Sequence, residues 1–278
     1  MPVSAPSKTS DGRFSYEAAG DSSLPSLIFL HGIGGAARAW RSQIEFFSGN
    51  FRAVAWDMPG YGGSTPLASV SIATLADALQ DFLQGIGASA PILVGHSIGG
   101  MIVQQWLTRH PVAARAVVLA QTSPAFGKAD GDWQTSFIEA RLGPLDRGGT
   151  MASLAPTLVK DLVGDHPDAA GMEVAQRCMA SVPEASYRAS MLALLGFDQR
   201  HALADIKVPT LVLSGSKDKN APAAMMAKMA KMAGYIPSAQ YVELDGIGHL
   251  ANLERPAAFN AALDRFLQAT IAQSQVTA

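Results

Sequence analysis

The chain has 278 residues, 48% hydrophobic and 16% charged, with a formal net charge of -2. That length buries a substantial core in one large or two small domains, and the near-neutral balance leaves no basic footprint for nucleic acid, so no nucleic-acid partner is expected. A single cysteine, Cys178, excludes an internal disulfide, and neither a Cys-x-x-Cys nor a paired-histidine spacing is present to hold a metal.

Residues 1–10 are polar with no apolar segment of the signal-peptide kind, and no run of about 18 apolar residues occurs anywhere. No membrane partner and a cytoplasmic location are the expectations, and the start reads as disordered. Phe14, Tyr16 and Ala18 then alternate with polar residues, the pattern of an edge strand with one face on a core. Residues 26–30, Ser-Leu-Ile-Phe-Leu, are apolar on both faces, as a buried parallel strand requires. They run into His31-Gly32-Ile33-Gly34-Gly35 and a helix striped by Trp40, Ile44 and Phe47. A strand over 51–56 ends in the turn-rich loop from Asp57 to Ser64. Ile72, Leu75, Leu79, Phe82, Leu83 and Ile86 then mark one face of a helix capped by Ser71.

Residues 92–100, Ile-Leu-Val-Gly-His-Ser-Ile-Gly-Gly, carry an apolar strand into a serine boxed by glycines and then into a helix. This is the form of a nucleophile elbow, whose sharp bend lifts the Ser97 hydroxyl out of the sheet. Side chains at 95 and 99 would collide with the adjoining helix and strand, which explains the glycines there. After a strand at 116–120 the alternation stops. Residues 123–203 show only helical pieces, around 133–142, 150–163, 171–182 and 183–195, and strands resume at 209–213 and 240–244. Strand and helix alternating at this rhythm imply an α/β fold, a mainly parallel sheet covered on both faces through right-handed crossovers. Residues 1–122 and 204–278 form its core, and the helical block at 123–203 is a cap over the carboxyl edge where such folds bind ligands. Met225, Met226, Met229 and Met232 read as a core-facing stripe.

A serine hydroxyl needs a base, and the base needs an orienting acid. Of six histidines, His249 lies in a glycine-loosened loop just after the last strand, which makes it the expected base. Asp218, in the loop after the strand at 209–213, is the favoured acid over Asp57, Asp205 and Asp245. The backbone N–H groups of Ile33 and Ile98 can hold a developing oxyanion.

Over nearly its whole length the chain resembles the α/β-hydrolase superfamily. The matching residues are the His31-Gly32 loop, the 57–64 loop, Gly95-His96-Ser97-Ile98-Gly99-Gly100, the 215–222 segment and Gly248-His249. Within the superfamily, residues 249–256 with Phe259-Asn260, and the stretch 133–154, are similar to the 3-oxoadipate enol-lactonases. The resemblance implies acyl transfer through Ser97 without a cofactor. Its substrate would be a small ester or lactone, with a general carboxylesterase or a carbon-carbon bond hydrolase as alternatives. The cap is mostly apolar, with Trp133 among the residues expected at the substrate. Of Arg141, Arg177 and Arg188, the expected carboxylate grip is Arg188, because Tyr187, Met191, Leu192 and Leu195 surround it. A homodimer stays open.

Two rival readings come from other classes. Gly32-x-Gly34-x-x-Ala37 followed by Asp57 fits a dinucleotide fingerprint, which would make the chain an oxidoreductase. A non-catalytic ligand binder on the hydrolase scaffold is the second; it usually lacks one of the three catalytic residue types, all of which are present here.

Overall fold

The computed structural model describes residues 3–126, 131–221, 223–231 and 235–276. Met232 and Pro222 lie outside them. The strands are β1 (Ser7–Lys8), β2 (Ser15–Ala19), β3 (Ser26–Leu30), β4 (Arg52–Trp56), β5 (Ile92–His96), β6 (Ala116–Ala120), β7 (Thr210–Gly215) and β8 (Ala239–Leu244). They form one sheet in the order β1-β2-β4-β3-β5-β6-β7-β8, antiparallel at the β1-β2 and β2-β4 pairs and parallel from β4 onward.

The helices α1 (Arg41–Phe47), α2 (Ile72–Gly85) and α3 (Ile98–Arg109) connect the first strands. Between β6 and β7 lie α4 (Asp132–Asp146), α5 (Met151–Leu162), α6 (Ala169–Ala180) and α7 (Glu184–Ala193). The chain closes with α8 (Ala223–Lys231), the short α9 (Ala251–Glu254) and α10 (Pro256–Val276).

The sheet divides the core as the two-faced apolar strands require. Ile28 and Leu30 of β3 pack with Leu75, Leu79 and Phe82 of α2 and with Ile102 of α3, whereas Leu27 and Phe29 pack with Ile44 and Phe47 of α1 and Phe259 and Leu263 of α10. Burying each such side chain contributes roughly 1.5–3 kcal/mol, so the sheet is held from both sides. The helix α2 starts in a reciprocal cap, in which Ser71 and Thr74 each accept the other's backbone N–H. The first core cluster continues into the inserted helices through Leu142, Met151, Val159, Met179 and Tyr187, so their apolar faces are continuous with the core.

Three expectations change. From residue 3 the start is ordered: Ser4 N–H donates to the Ala18 carbonyl at 2.9 Å, and β1 takes the edge position expected of β2. In β2 the residues read as outward-facing, Ser15 and Glu17, are buried, while Tyr16 and Ala18 are half-buried. Alternation implied one wet face, but α1 covers that face, and Arg41 donates to the Glu17 carboxylate at 2.6 and 2.8 Å. Of the methionine stripe, Met226 and Met229 are buried in the core, whereas Met225 is exposed and turns towards the cavity described below.

Candidate active site

The carboxyl ends of β3, β5, β6, β7 and β8 bring their following loops together beneath the inserted helices. Between them lies a cavity of about 370 Å³ whose wall includes Ile33, Ser97, Gln121 and His249 on the sheet side and Trp133 and Arg141 on the helix side.

Ser97 joins β5 to α3 with φ 55° and ψ -121°, a backbone conformation that costs on the order of 1–3 kcal/mol and persists only where its surroundings enforce it. The enforcement is visible. A Cβ at Gly95 would lie 2.6 Å from the Gly100 backbone, and one at Gly99 would lie 2.5 Å from the Leu30 carbonyl of β3. From β6, Ala120 accepts the Ser97 N–H at 3.0 Å, and the Thr122 hydroxyl donates to the Ser97 carbonyl at 2.7 Å.

His249 follows β8, and its Nδ1–H donates to Asp218 Oδ2 at 2.8 Å. That bond fixes the tautomer and leaves the Nε2 lone pair free to take a proton. The other Asp218 oxygen accepts the N–H groups of Asn220 and Ala221 at 2.8 and 3.0 Å. Burial by itself raises the Asp218 carboxyl, yet the charge and hydrogen bond of His249, joined by those two N–H groups, outweigh it and hold it below the usual carboxylate value. The competing acids are engaged elsewhere. Asp57 Oδ1 accepts the Ala37 N–H at 2.8 Å, Asp245 accepts the Ser216 hydroxyl at 3.1 Å, and Asp205 sits in a short 3-10 turn before β7. The Asp57 bond also bears on the dinucleotide reading, since the carboxylate closes onto the helix start where a pyrophosphate would have to sit.

Ile33 lines the cavity. Ile98 opens α3, where the first N–H groups lack acceptors within the helix, and its side chain is buried in the core. Two further histidines brace these loops. His31 accepts the Met58 N–H on Nε2 at 3.0 Å and donates from Nδ1 to the Gly32 carbonyl at 2.7 Å, next to Ile33. His96 donates from Nε2 to the His249 carbonyl at 2.6 Å, and their rings lie 5.0 Å apart. Burial and then the neighbouring His249 push His96 down to about 3.

On the helix side, Trp133 stands half exposed in an aromatic cluster, 5.1 Å from Phe126 and 5.2 Å from Phe137 between ring centres. The arginine expectation needs correction. Arg188 does not line the cavity; its Nε donates to Glu184 at 2.8 Å and its Nη1 to Asp146 at 2.7 Å. The helix is the expected one but its phase is not: Tyr187, Met191 and Leu194 face the cavity, and position 188 lies one helical step away, towards α4. Arg177 also points outward, 3.4 Å from Glu173. The arginine that reaches the cavity is Arg141. Its guanidinium lies 3.4 Å over the Phe137 ring and donates to Asn220 Oδ1 at 3.0 Å, and among the described residues it has no ion-pair partner. Burial lowers its pKa. A sequence signal for this was present in the i, i+4 spacing of Phe137 and Arg141. Gln121 carried no signal of comparable kind. It is a buried residue of the cavity wall at φ 42°, and its side-chain oxygen and nitrogen have no partner among the described residues.

The family model for the alpha/beta hydrolase family matches residues 27–262, and the chain belongs to that family. It is a hydrolase, in keeping with its curated relatives. It is 26% identical over 263 residues to 3-oxoadipate enol-lactonase 2 of Acinetobacter baylyi, covering 93% of this chain and 94% of the relative. It is 28% identical to the (E)-2-((N-methylformamido)methylene)succinate hydrolase of the same organism, covering 88% of this chain and 90% of the relative. Among solved structures, the enol-lactonase from Burkholderia xenovorans superposes with a TM-score of 0.79 at 23% identity, covering 95% of this chain and 100% of the other. That likeness speaks to the fold.

Proposed function

We propose that the protein is a serine hydrolase that opens a small ester or lactone bearing a carboxylate through an acyl-enzyme, with an enol-lactone as the first substrate to try. The observation that carries the reading is the buried His249–Asp218 pair on the same cavity as the strained Ser97. Ser97 Oγ attacks the carbonyl carbon while His249 Nε2 takes the hydroxyl proton, and the N–H groups of Ile33 and Ile98 receive the charge that develops on the carbonyl oxygen. The carbon-oxygen bond to the leaving group breaks, and His249 returns the proton to that oxygen. Water then attacks the acyl-enzyme, gives its proton to His249, and the proton passes back to Ser97 as the acid leaves. Asp218 stays ionised throughout, orienting the imidazole and stabilising its charged form. Residues 123–203 act as the cap over a core of 1–122 and 204–278, and no cofactor takes part.

Arg141 replaces Arg188 as the carboxylate grip. A planar guanidinium short of solvent, with no carboxylate in ion-pair contact among the described residues and Asp161 acting on it only from farther along the wall, is the best-placed cation for one end of an acidic substrate. The names of the two curated relatives specify oxoadipate and succinate compounds, both acids, which supports the same class.

The test is a hydrolysis panel pairing each lactone or ester acid with its neutral methyl ester, on wild type, Ser97→Ala, His249→Ala and Arg141→Ala. Loss of more than about a thousandfold is expected in the first two variants, since removing a triad member typically costs far more. Arg141→Ala should cost the charged substrates selectively. Equal rates on charged and neutral partners, unchanged by Arg141→Ala, would leave a general carboxylesterase.

A further inference from the structure

Glu254 is a carboxylate 1% exposed to solvent, with no ion-pair partner among the described residues. Such a group is costly to bury unless its oxygens are fully engaged, and here backbone N–H groups engage them. Oε2 accepts from Gly164 at 2.8 Å and from Gly248 at 3.0 Å, and Oε1 accepts from Leu250 at 2.9 Å. Gly248 and Leu250 are the residues on either side of His249. Gly164 belongs to the inserted helices, two residues past the end of α5. One buried side chain therefore ties both flanks of the imidazole-bearing residue to the helical block over the cavity.

The backbone around this clamp follows the same path. The N–H of His249 donates to the Leu162 carbonyl at 2.7 Å, and the Asp165 N–H donates to the Gly246 carbonyl at 2.7 Å. The two segments lie so close that a Cβ on Gly164 would come 2.3 Å from the Gly246 carbonyl oxygen, and one on Gly248 would come 2.4 Å from that of Leu162. The Glu254 carbonyl itself accepts the Asp168 N–H at 3.0 Å, at the start of α6.

We infer that Glu254 is a positioning residue that couples the placement of His249 to the cap, holding the imidazole at its working angle only while the 162–165 segment stays seated. The inference rests on the reading of His249 as the general base. A carboxylate is required because all three partners are donors. In Glu254→Gln one oxygen becomes an NH2 group that must face an N–H, so the clamp loses either Leu250 or the Gly164 and Gly248 pair. Misplacing a catalytic group by about 1 Å costs on the order of a hundredfold in rate.

The experiment compares wild type, Glu254→Gln, Gly164→Ala and His249→Ala, with folding checked by circular dichroism and kcat and KM measured on one activated ester. Amide hydrogen exchange on the wild type reads Gly164, Gly248 and Leu250 directly. Folded Glu254→Gln should lose tenfold to a hundredfold in kcat with KM within about threefold. A stabilising role alone would lower the unfolding midpoint and leave kcat per folded molecule intact. Folded Glu254→Gln with kcat within about threefold of wild type overturns the inference. So does exchange of the three wild-type amides at the rate of an open loop. If Glu254→Gln fails to fold, Gly164→Ala decides by the same kcat criterion, because its Cβ forces the 162–165 segment off the 246–248 backbone and leaves the carboxylate in place. Activity surviving in His249→Ala with the three amides still protected would sink the choice of base and not the clamp.

Discussion

His96 lends itself to a pH experiment whose size follows from its surroundings. Its Nε2–H is committed to the His249 carbonyl, and its Nδ1 faces Gly32 so closely that a Cβ there would lie 2.9 Å away, leaving no room to solvate a second proton. In the folded protein His96 accepts a proton only near pH 3, against 6.5 for an ordinary histidine. Between those values the unfolded chain binds a proton that the folded chain refuses, so stability rises with pH across the window and is flat above it. At pH 5 the unfolded state is favoured by a factor of about thirty through this group, which is about 2 kcal/mol relative to pH 7. His31 acts in the same direction, because burial lowers it and its Nε2 already accepts the Met58 N–H. A single variant separates the two.

His96→Gln keeps an N–H for the His249 carbonyl and removes the titration. Urea unfolding at pH 7 and pH 5, with equal slopes in both proteins, should show the wild type losing about 2 kcal/mol more than the variant on acidification. The gap that favours the wild type at pH 7 should therefore shrink at pH 5. A gap that stays constant within about 0.5 kcal/mol would mean that His96 carries no buried penalty against its charged form, and the reasoning would fall.

Asp218→Asn should lower the rate by about ten-thousandfold, by favouring the wrong imidazole tautomer, while leaving the fold intact in circular dichroism; wild-type activity would return attention to the other aspartates. Arg141→Met should cost no more than about 1 kcal/mol in urea unfolding, because an unpaired, partly buried cation gives up about as much in desolvation as it gains from Asn220 and Phe137. A large loss there would make Arg141 a structural residue.

Much of the fold was legible because strands buried on both faces and amphipathic helices write different periods into a sequence. The loops at the strand ends were legible too, since a bend such as that at Ser97 admits few residue types on either side. What failed was phase and cover. The α7 stripe was readable, but which of its faces meets the cavity depends on how the helix docks, and Arg188 lies one step round from Tyr187, Met191 and Leu194. In β2 the alternation was real, yet Arg41 of α1 lies over the face that a two-state pattern assigns to water. Glu254 lies within the 249–256 stretch without a sign of its role, because nothing local shows that a carboxylate will be buried among backbone donors contributed in part by residue 164.

The proposed hydrolytic constellation and the proposed recognition of substrate draw on different parts of the chain. Ser97, Asp218, His249, Ile33 and Ile98 belong to strand ends and the turns after them, where the sheet dictates their placement. Arg141 belongs to α4, which reaches the site only by packing. Arg141 shares the cavity wall with Asp161, whose charge acts on it from beyond ion-pair distance, while Asp146 at the end of the same helix already serves Arg188. The desolvation that lowers Arg141 would be relieved by an anionic ligand, and the same low-polarity surroundings would strengthen that pairing relative to one in water. On the proposed reading, that desolvated guanidinium is what would give a charged substrate its advantage over a neutral one.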